Sequence, residues 1–168
     1  MKTFIISALA VFSFGILSAQ ETTVTLEDVT VTSKNSKFIK AMQDDNTPQM
    51  ALELQAKAAN YDLIESEFYR GSTKSEYHIE FKCKRGSMYT TYNSKGEITR
   101  CMEKYTDVLL PESIIDKILE QYQGWDVKNS QYSSLYKKNK LNKKKYRILL
   151  TNGDQNKVIE IDLEDMLK

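Results

Sequence analysis

Residues 77–105 read YHIEFKCKRGSMYTTYNSKGEITRCMEKY, and the fold turns on how this stretch pairs with itself. Three runs rich in aromatic and β-branched residues are separated by KRG and NSKG, both of which signal turns. Arg85 and Gly86 suit a two-residue turn that sets Cys83 opposite Met88. Residues 93–96 suit a three-residue loop closed by Gly96 in the left-handed conformation, setting Tyr92 opposite Ile98 and Met88 opposite Met102. Side chains alternate along a strand, so these registers gather Tyr77, Ile79, Phe81, Cys83, Met88, Tyr92, Ile98 and Met102 on one face. Such a face has to be covered, and a helix packed on it is the expected cover.

The helix lies just upstream. Thr47 reads as an N-cap with Pro48 at the first helical position, where no N–H is needed. Behind them Met50, Leu54 and Ala58 recur at spacings of four, and Asn60 is the stop. YDLIESEFY at 61–69 reads as a further strand. The series then restarts: LPESIIDKILEQYQGWD at 110–126 places Ile114, Ile115, Ile118, Leu119 and Tyr122 on one helical stripe ending at Gly124. WDVKNSQYSSLY, KYRILLTNG and KVIEIDL follow as strands, with Tyr146, Ile148 and Leu150 echoing Tyr77, Ile79 and Phe81. NYDLIESEF at 60–68 and GWDVKNSQY at 124–132 share one pattern of aromatic, Asp and aliphatic positions. The expected fold class is α+β, a tandem repeat of a helix packed on an antiparallel β-meander, with units at 47–108 and 109–168. Asp62 and Asp126 are expected as turn residues that accept backbone N–H bonds beside an aromatic plug, Tyr61 or Trp125.

The chain starts with one charge, Lys2, an apolar run over 4–17 and the small-residue exit LSAQE. Residues 1–19 therefore read as a secretory signal peptide cut after Ala19, because a spanning helix needs about 20 apolar residues. An uncleaved anchor is the alternative. No cysteine stands at the exit, which argues against a lipid-anchored protein. Residues 20–46 read as an extended leader, and the expected location is the periplasm or the extracellular space. No membrane span is expected after cleavage.

Charge excludes some functions. With 24 basic and 23 acidic residues the net charge is +1, and loss of Lys2 brings it to zero. The protein as a whole has no field to attract nucleic acid or an anionic surface, so an electrostatic partner must be met by a local patch. Residues 137–145 hold six lysines without an aromatic among them. They read as a solvated loop whose lysines discourage sheet pairing, with contact to an acidic protein or glycolipid as the functional alternative.

Catalytic constellations are thin. His78 is the only histidine, so zinc spacings with two histidines cannot be written. Neither phosphate-binding glycine motif occurs. NGDQN at 152–156 has calcium-like spacing at Asp154 and Asn156 but lacks the later glycine and glutamate, and a hairpin is the better reading. A pairing of Cys101 with His78 on the outer face would lack a third residue to orient it. No catalytic residue, metal or cofactor is assigned. In the registers above Cys101 is out of phase with Met102 and faces away from Cys83. Two strand spacings put them about 9–10 Å apart, beyond the roughly 7 Å that a bridge tolerates. Free thiols are favoured, and a register error would restore the bridge.

The helix opening LPESI and closing YQGWDV, preceded by the YNSKGEI hairpin and followed by KKKYRILLTNG, resembles the PepSY-like domains related to the β-lactamase-inhibitor protein, small exported proteins of Bacteroidetes-type bacteria. The resemblance covers about residues 44–168. It implies a helix on an antiparallel sheet in each copy, with the opposite sheet faces forming a surface that can hold another protein. VTLEDVTVTS at 24–33 is similar to a segment near the start of TonB-dependent outer-membrane transporters, in a chain far too short for the barrel; a solvated leader and a strand that docks on a partner's sheet edge are both open. The functional expectation is an exported, non-enzymatic protein-binding module, with an accessory envelope protein docked through its leader as the alternative. The expected partner is another protein and not nucleic acid. The candidate partner-binding residues are Tyr89, His78, Arg147, Leu149 and Val158, which the alternation places on the outer sheet face.

Overall fold

A computed structural model of the chain describes residues 33–67, 69, 74–137 and 139–163. The expected signal peptide and the leader segment at 24–32 lie outside the described residues. A 3₁₀ turn, Ser33–Asn35, leads into α1 (Ser36–Met42) and α2 (Gln49–Ala59). Strands β1 (Glu76–Cys83), β2 (Gly86–Asn93) and β3 (Ile98–Thr106) follow, then α3 (Glu112–Gln121), then β4 (Asp126–Lys137), β5 (Lys140–Asn152) and β6 (Gln155–Asp162). The six strands form one antiparallel sheet in sequence order. This is an α+β meander with its helices on one face.

The aromatic and aliphatic residues of alternate strand positions explain the layering. Inward positions carry Tyr77 and Phe81 on β1, Met88 and Tyr92 on β2, and Ile98, Cys101 and Tyr105 on β3. They continue with Tyr132 and Tyr136 on β4, Tyr146, Ile148 and Leu150 on β5, and Ile159 on β6, all buried. Tyr105, Tyr132 and Tyr146 lie opposite one another across three strands, with ring centroids 6.3 and 5.3 Å apart. At the head of this row stands Gly86, opposite Tyr105. A Cβ there would come within 2.2 Å of the Lys104 carbonyl oxygen and 2.7 Å of the Tyr105 ring. Only glycine lets the β1–β2 hairpin close onto β3.

Over this face lie α1 and α2, which bury Phe38, Met42, Ala51, Leu54 and Ala58. Phe38 meets the Tyr136 ring edge-on at 5.1 Å. The Tyr92 hydroxyl donates to the Ala58 carbonyl at 2.8 Å, and Tyr61 plugs the end of α2 against Phe81 and Tyr92. α3 buries Ile114 and Ile118 and is tied to the same side, because the Ser113 hydroxyl donates to Asn46 Oδ1 at 2.8 Å.

A polar seam crosses the core one step below the tyrosine row. Glu103, Ser134 and Lys144 stand opposite one another on β3, β4 and β5. The Glu103 carboxylate accepts from Gln55 Nε2 and Ser134 Oγ, both at 2.7 Å, and from the Tyr105 hydroxyl at 3.1 Å. Burial pushes its pKa up despite those three donors. Lys144 is fully buried, and its Nζ donates to Thr47 Oγ1 at 2.6 Å and to the Met42 carbonyl at 3.1 Å. It also pairs with Asp44 Oδ1 at 2.6 Å. Desolvation lowers the Lys144 pKa, and Asp44 opposes the shift. Three acceptors thus meet the three N–H groups of the ammonium.

Several expectations are corrected here. Residues 33–46 are not extended leader: Phe38 and Met42 are too apolar to leave in water, and they bring a helix into the core. Residues 61–67 form turns instead of a strand, with Asp62 Oδ1 accepting the N–H groups of Ile64 and Glu65, the capping role expected of it. GWDVKNSQY, by contrast, runs straight into β4, so the two similar stretches adopt different structures. Tyr146, Ile148 and Leu150 lie on the middle strand following α3, whereas Tyr77, Ile79 and Phe81 lie on the first strand following α2. Thr47 does not cap α2; Pro48 holds that position, and the Thr47 hydroxyl is engaged with Met42 and Lys144. The lysine-rich segment is the tip of the long β4–β5 hairpin, and only its alternation separates exposed Lys143 from buried Lys144.

Candidate functional site

All three helices sit on the inward face, leaving the outward face of the sheet without a helical cover among the described residues. Its side chains follow from the register. His78 and Glu80 on β1 stand opposite Thr91 and Tyr89 on β2, and Tyr89 in turn faces Met102 on β3. Met102 faces Leu135 on β4. One apolar row, Tyr89, Met102 and Leu135, therefore crosses three adjacent strands. Tyr89 is 54% exposed and Met102 42% exposed, so two members of this row present apolar surface side by side.

Two hollows mark this face. The larger, about 850 Å³, is lined by His78, Tyr89, Thr91, Arg100, Met102 and Lys137 among others. A smaller one, about 390 Å³, is formed by Lys104, Asn129, Gln131, Arg147, Leu149 and Val158. The five residues singled out from the sequence fall into these two hollows: His78 and Tyr89 in the first, and Arg147, Leu149 and Val158 in the second. His78 Nδ1 lies 3.1 Å from the Thr91 hydroxyl. Glu80 is held below the usual carboxylate range by hydrogen bonds from Lys82 and the Tyr89 hydroxyl.

Met102, Arg100 and Lys104 were not expected here, and one bulge explains why. The hairpin at 93–96 closes as expected, with Gly96 at φ 75° and Tyr92 opposite Ile98. The register then shifts between Thr91 and Tyr92, leaving Thr99 as the extra residue, and Met88 pairs with Glu103 instead of Met102. Every side chain beyond it changes face. Cys101 turns inward and is fully buried, whereas Met102 turns outward.

No family model, curated protein or solved structure matches this chain. What the site can do must therefore be read from its own residues. Cys101 and His78 lie on opposite faces of the sheet, so the cysteine–histidine pair considered above does not assemble. Among the described residues no group of three His, Cys, Asp or Glu side chains is placed to hold a metal ion. Both cysteines are free, Cys83 exposed at the β1–β2 turn and Cys101 buried. The separation argued from opposite faces is thus corrected: both occupy inward strand positions, and displacement along and across the sheet keeps them apart. Residues 152–155 close a tight hairpin with Gly153 at φ 56°, as the sequence suggested over a calcium loop. No helix among the described residues is long and apolar enough to cross a membrane.

Proposed function

We propose that the protein is an exported, non-enzymatic binding module that engages another envelope or secreted protein through the outward face of its sheet. The observation that supports this reading is the sheet face left without a helical cover among the described residues, with a partly exposed Tyr89–Met102–Leu135 row and two hollows at which Tyr89, Arg100 and Arg147 are presented. Aromatic and arginine side chains seated in pockets are the residue types that dominate binding energies. Export rests on the apolar N-terminal run and its small-residue exit, and the PepSY-like resemblance adds to both parts of the reading.

The test is affinity capture from envelope and culture-supernatant fractions by the mature chain, repeated with Tyr89→Ala, with Leu149→Ala and with residues 20–32 deleted. Specific enrichment that either alanine abolishes, on proteins of unchanged thermal stability, supports the sheet face. Capture lost only on deletion of residues 20–32 transfers the function to the leader. Cell fractionation tests export: precursor-sized protein retained in the cytoplasm refutes it.

A further inference from the structure

Although acidic and basic residues nearly balance over the chain, they are not evenly distributed on the outward face. Outward positions over 100–104 on β3, 129–137 on β4 and 143–149 on β5 carry Arg100, Lys104, Lys137, Lys143, Lys145 and Arg147. They carry no carboxylate. The acids of this face lie outside those ranges, Glu76 and Glu80 on β1, where both also line the larger hollow, Asp126 at the start of β4, and Glu160 and Asp162 on β6. Glu80 is already paired with Lys82 at 2.8 Å, and Glu160 with Lys145 at 2.7 Å. Lys143 and Arg147 also act on the Glu160 carboxyl, an independent sign that these cations share one face. On the inward side of the same strands Glu103 is buried behind the sheet. The middle of the face is thus a cationic field interrupted by the apolar Tyr89–Met102–Leu135 row.

We infer that this face takes an acidic polypeptide segment whose carboxylates meet Arg100, Lys104 and Arg147 while an apolar or aromatic side chain enters the hollow beside Tyr89 and Met102. The inference rests on the sheet-face reading above and names its partner's chemistry. Charge complementarity of this kind raises association rates and rejects like-charged competitors. A lipid surface fits less well. The cations rise from mid-strand positions beside recessed hollows, which accept inserted side chains, whereas a flat bilayer is met by protruding groups.

A synthetic peptide rich in Glu and Tyr is the probe, with a Lys-for-Glu peptide and phosphatidylglycerol vesicles as comparisons, against the mature chain. Fluorescence anisotropy is expected to show binding of the acidic peptide alone, weakening steeply with added salt. Replacement of Arg100, Lys104 and Arg147 together by Gln should lower its affinity by about tenfold or more and flatten the salt dependence. Tyr89→Ala should weaken binding yet preserve that dependence. Circular dichroism confirms that these exposed substitutions leave the fold intact. Binding to vesicles only, equal binding of both peptides, no binding, or an unaffected triple variant each overturns the inference. If the triple variant still captures a partner that Tyr89→Ala loses, the acidic-partner inference falls and the sheet-face reading stands; if neither substitution alters capture, both fall.

Discussion

Replacing Lys144 by Met probes the most heavily constrained charge in the molecule. Methionine keeps a long, flexible apolar stem, so the change removes the ammonium with little change in packing. The ammonium is completely buried, donates to Thr47 and Met42 and pairs with Asp44. Breaking a buried pair by deleting one partner costs about 3–5 kcal/mol, because the other charge is left without compensation. Two details place this site at the lower end. Asp44 retains 28% side-chain exposure and the Asn46 N–H as a donor, and the Thr47 hydroxyl still donates to the Met42 carbonyl. The expected loss is about 3 kcal/mol, a large fraction of the roughly 5–15 kcal/mol that holds a domain folded. At about 2–4 °C per kcal/mol the melting temperature should fall by roughly 6–12 °C. Urea unfolding of wild type, Lys144→Met, Asp44→Asn and the double variant forms the assay. Asp44→Asn alone should be the more damaging of the two, since it strands a fully buried cation, and the double variant should be more stable than the sum of the singles implies. A Lys144→Met change within about 0.5 kcal/mol of wild type, or strict additivity in the cycle, would refute the reasoning.

Glu103 gives a pH signature. Its folded pKa is raised by burial, so its proton is held more tightly in the folded than in the unfolded chain. The resulting stability is fully present below the ordinary carboxylate pKa and is lost as pH rises through the folded value. Glu103→Gln should remove this component, and pH-dependent urea midpoints that keep the same slope over the mildly acidic range would count against it. Gly86→Ala should destabilise by about 1–3 kcal/mol through the clash with Lys104 and Tyr105, read as a lower thermal midpoint; an unchanged midpoint contradicts the close approach. The thiols should differ in reactivity: exposed Cys83 reacts at once with a thiol reagent, whereas buried Cys101, its pKa pushed well up by burial, reacts only on unfolding. Two equally fast thiols would contradict the β3 register, and no fast thiol would contradict the exposure of Cys83 at the end of β1.

The hairpin at 93–96 was legible because its signal is local, whereas the first turn was misplaced: it closes at Lys84–Arg85, with Cys83 opposite Gly86 and Phe81 opposite Met88 in place of Cys83 opposite Met88, a shift of two residues that leaves the faces unchanged. NSKG specifies Gly96 in the left-handed region and fixes Tyr92 opposite Ile98 whatever else the chain does. The bulge just beyond it was not, because either phase of residues 98–105 leaves one anomaly: an outward Cys101 and Tyr105, or an inward Glu103. The choice is made by partners far along the chain, Gln55 and Ser134, which satisfy the carboxylate inside. Lys144 was hidden for the same reason, since its acceptors lie about a hundred positions upstream. Outer-face residues on β1, β5 and β6 follow from simple alternation, so His78, Arg147, Leu149 and Val158 were found. Arg100, Met102 and Lys104 were concealed by the bulge. Residues 33–46 were misjudged because their Thr-, Asp- and Asn-rich surroundings outweighed one short apolar run, Phe38, Ile39, Ala41 and Met42.

The strand order, each strand beside its neighbour in sequence, also bears on how the chain acquires its structure. Four of the five ladders are hairpins and only β3–β4 spans a helix, α3, so most of the sheet is local pairing of the kind that forms quickly because little loop entropy is lost before contacts are made. The segment from Asn35 to Thr47 is different: it reaches Ile98 through Asn35 and Lys144 through Met42 and Thr47. The first described part of the chain to be synthesised therefore waits longest for its place, since its anchor on β5 emerges about a hundred residues later. Until Lys144 arrives, Phe38 and Met42 remain available to anything that holds an unfolded chain.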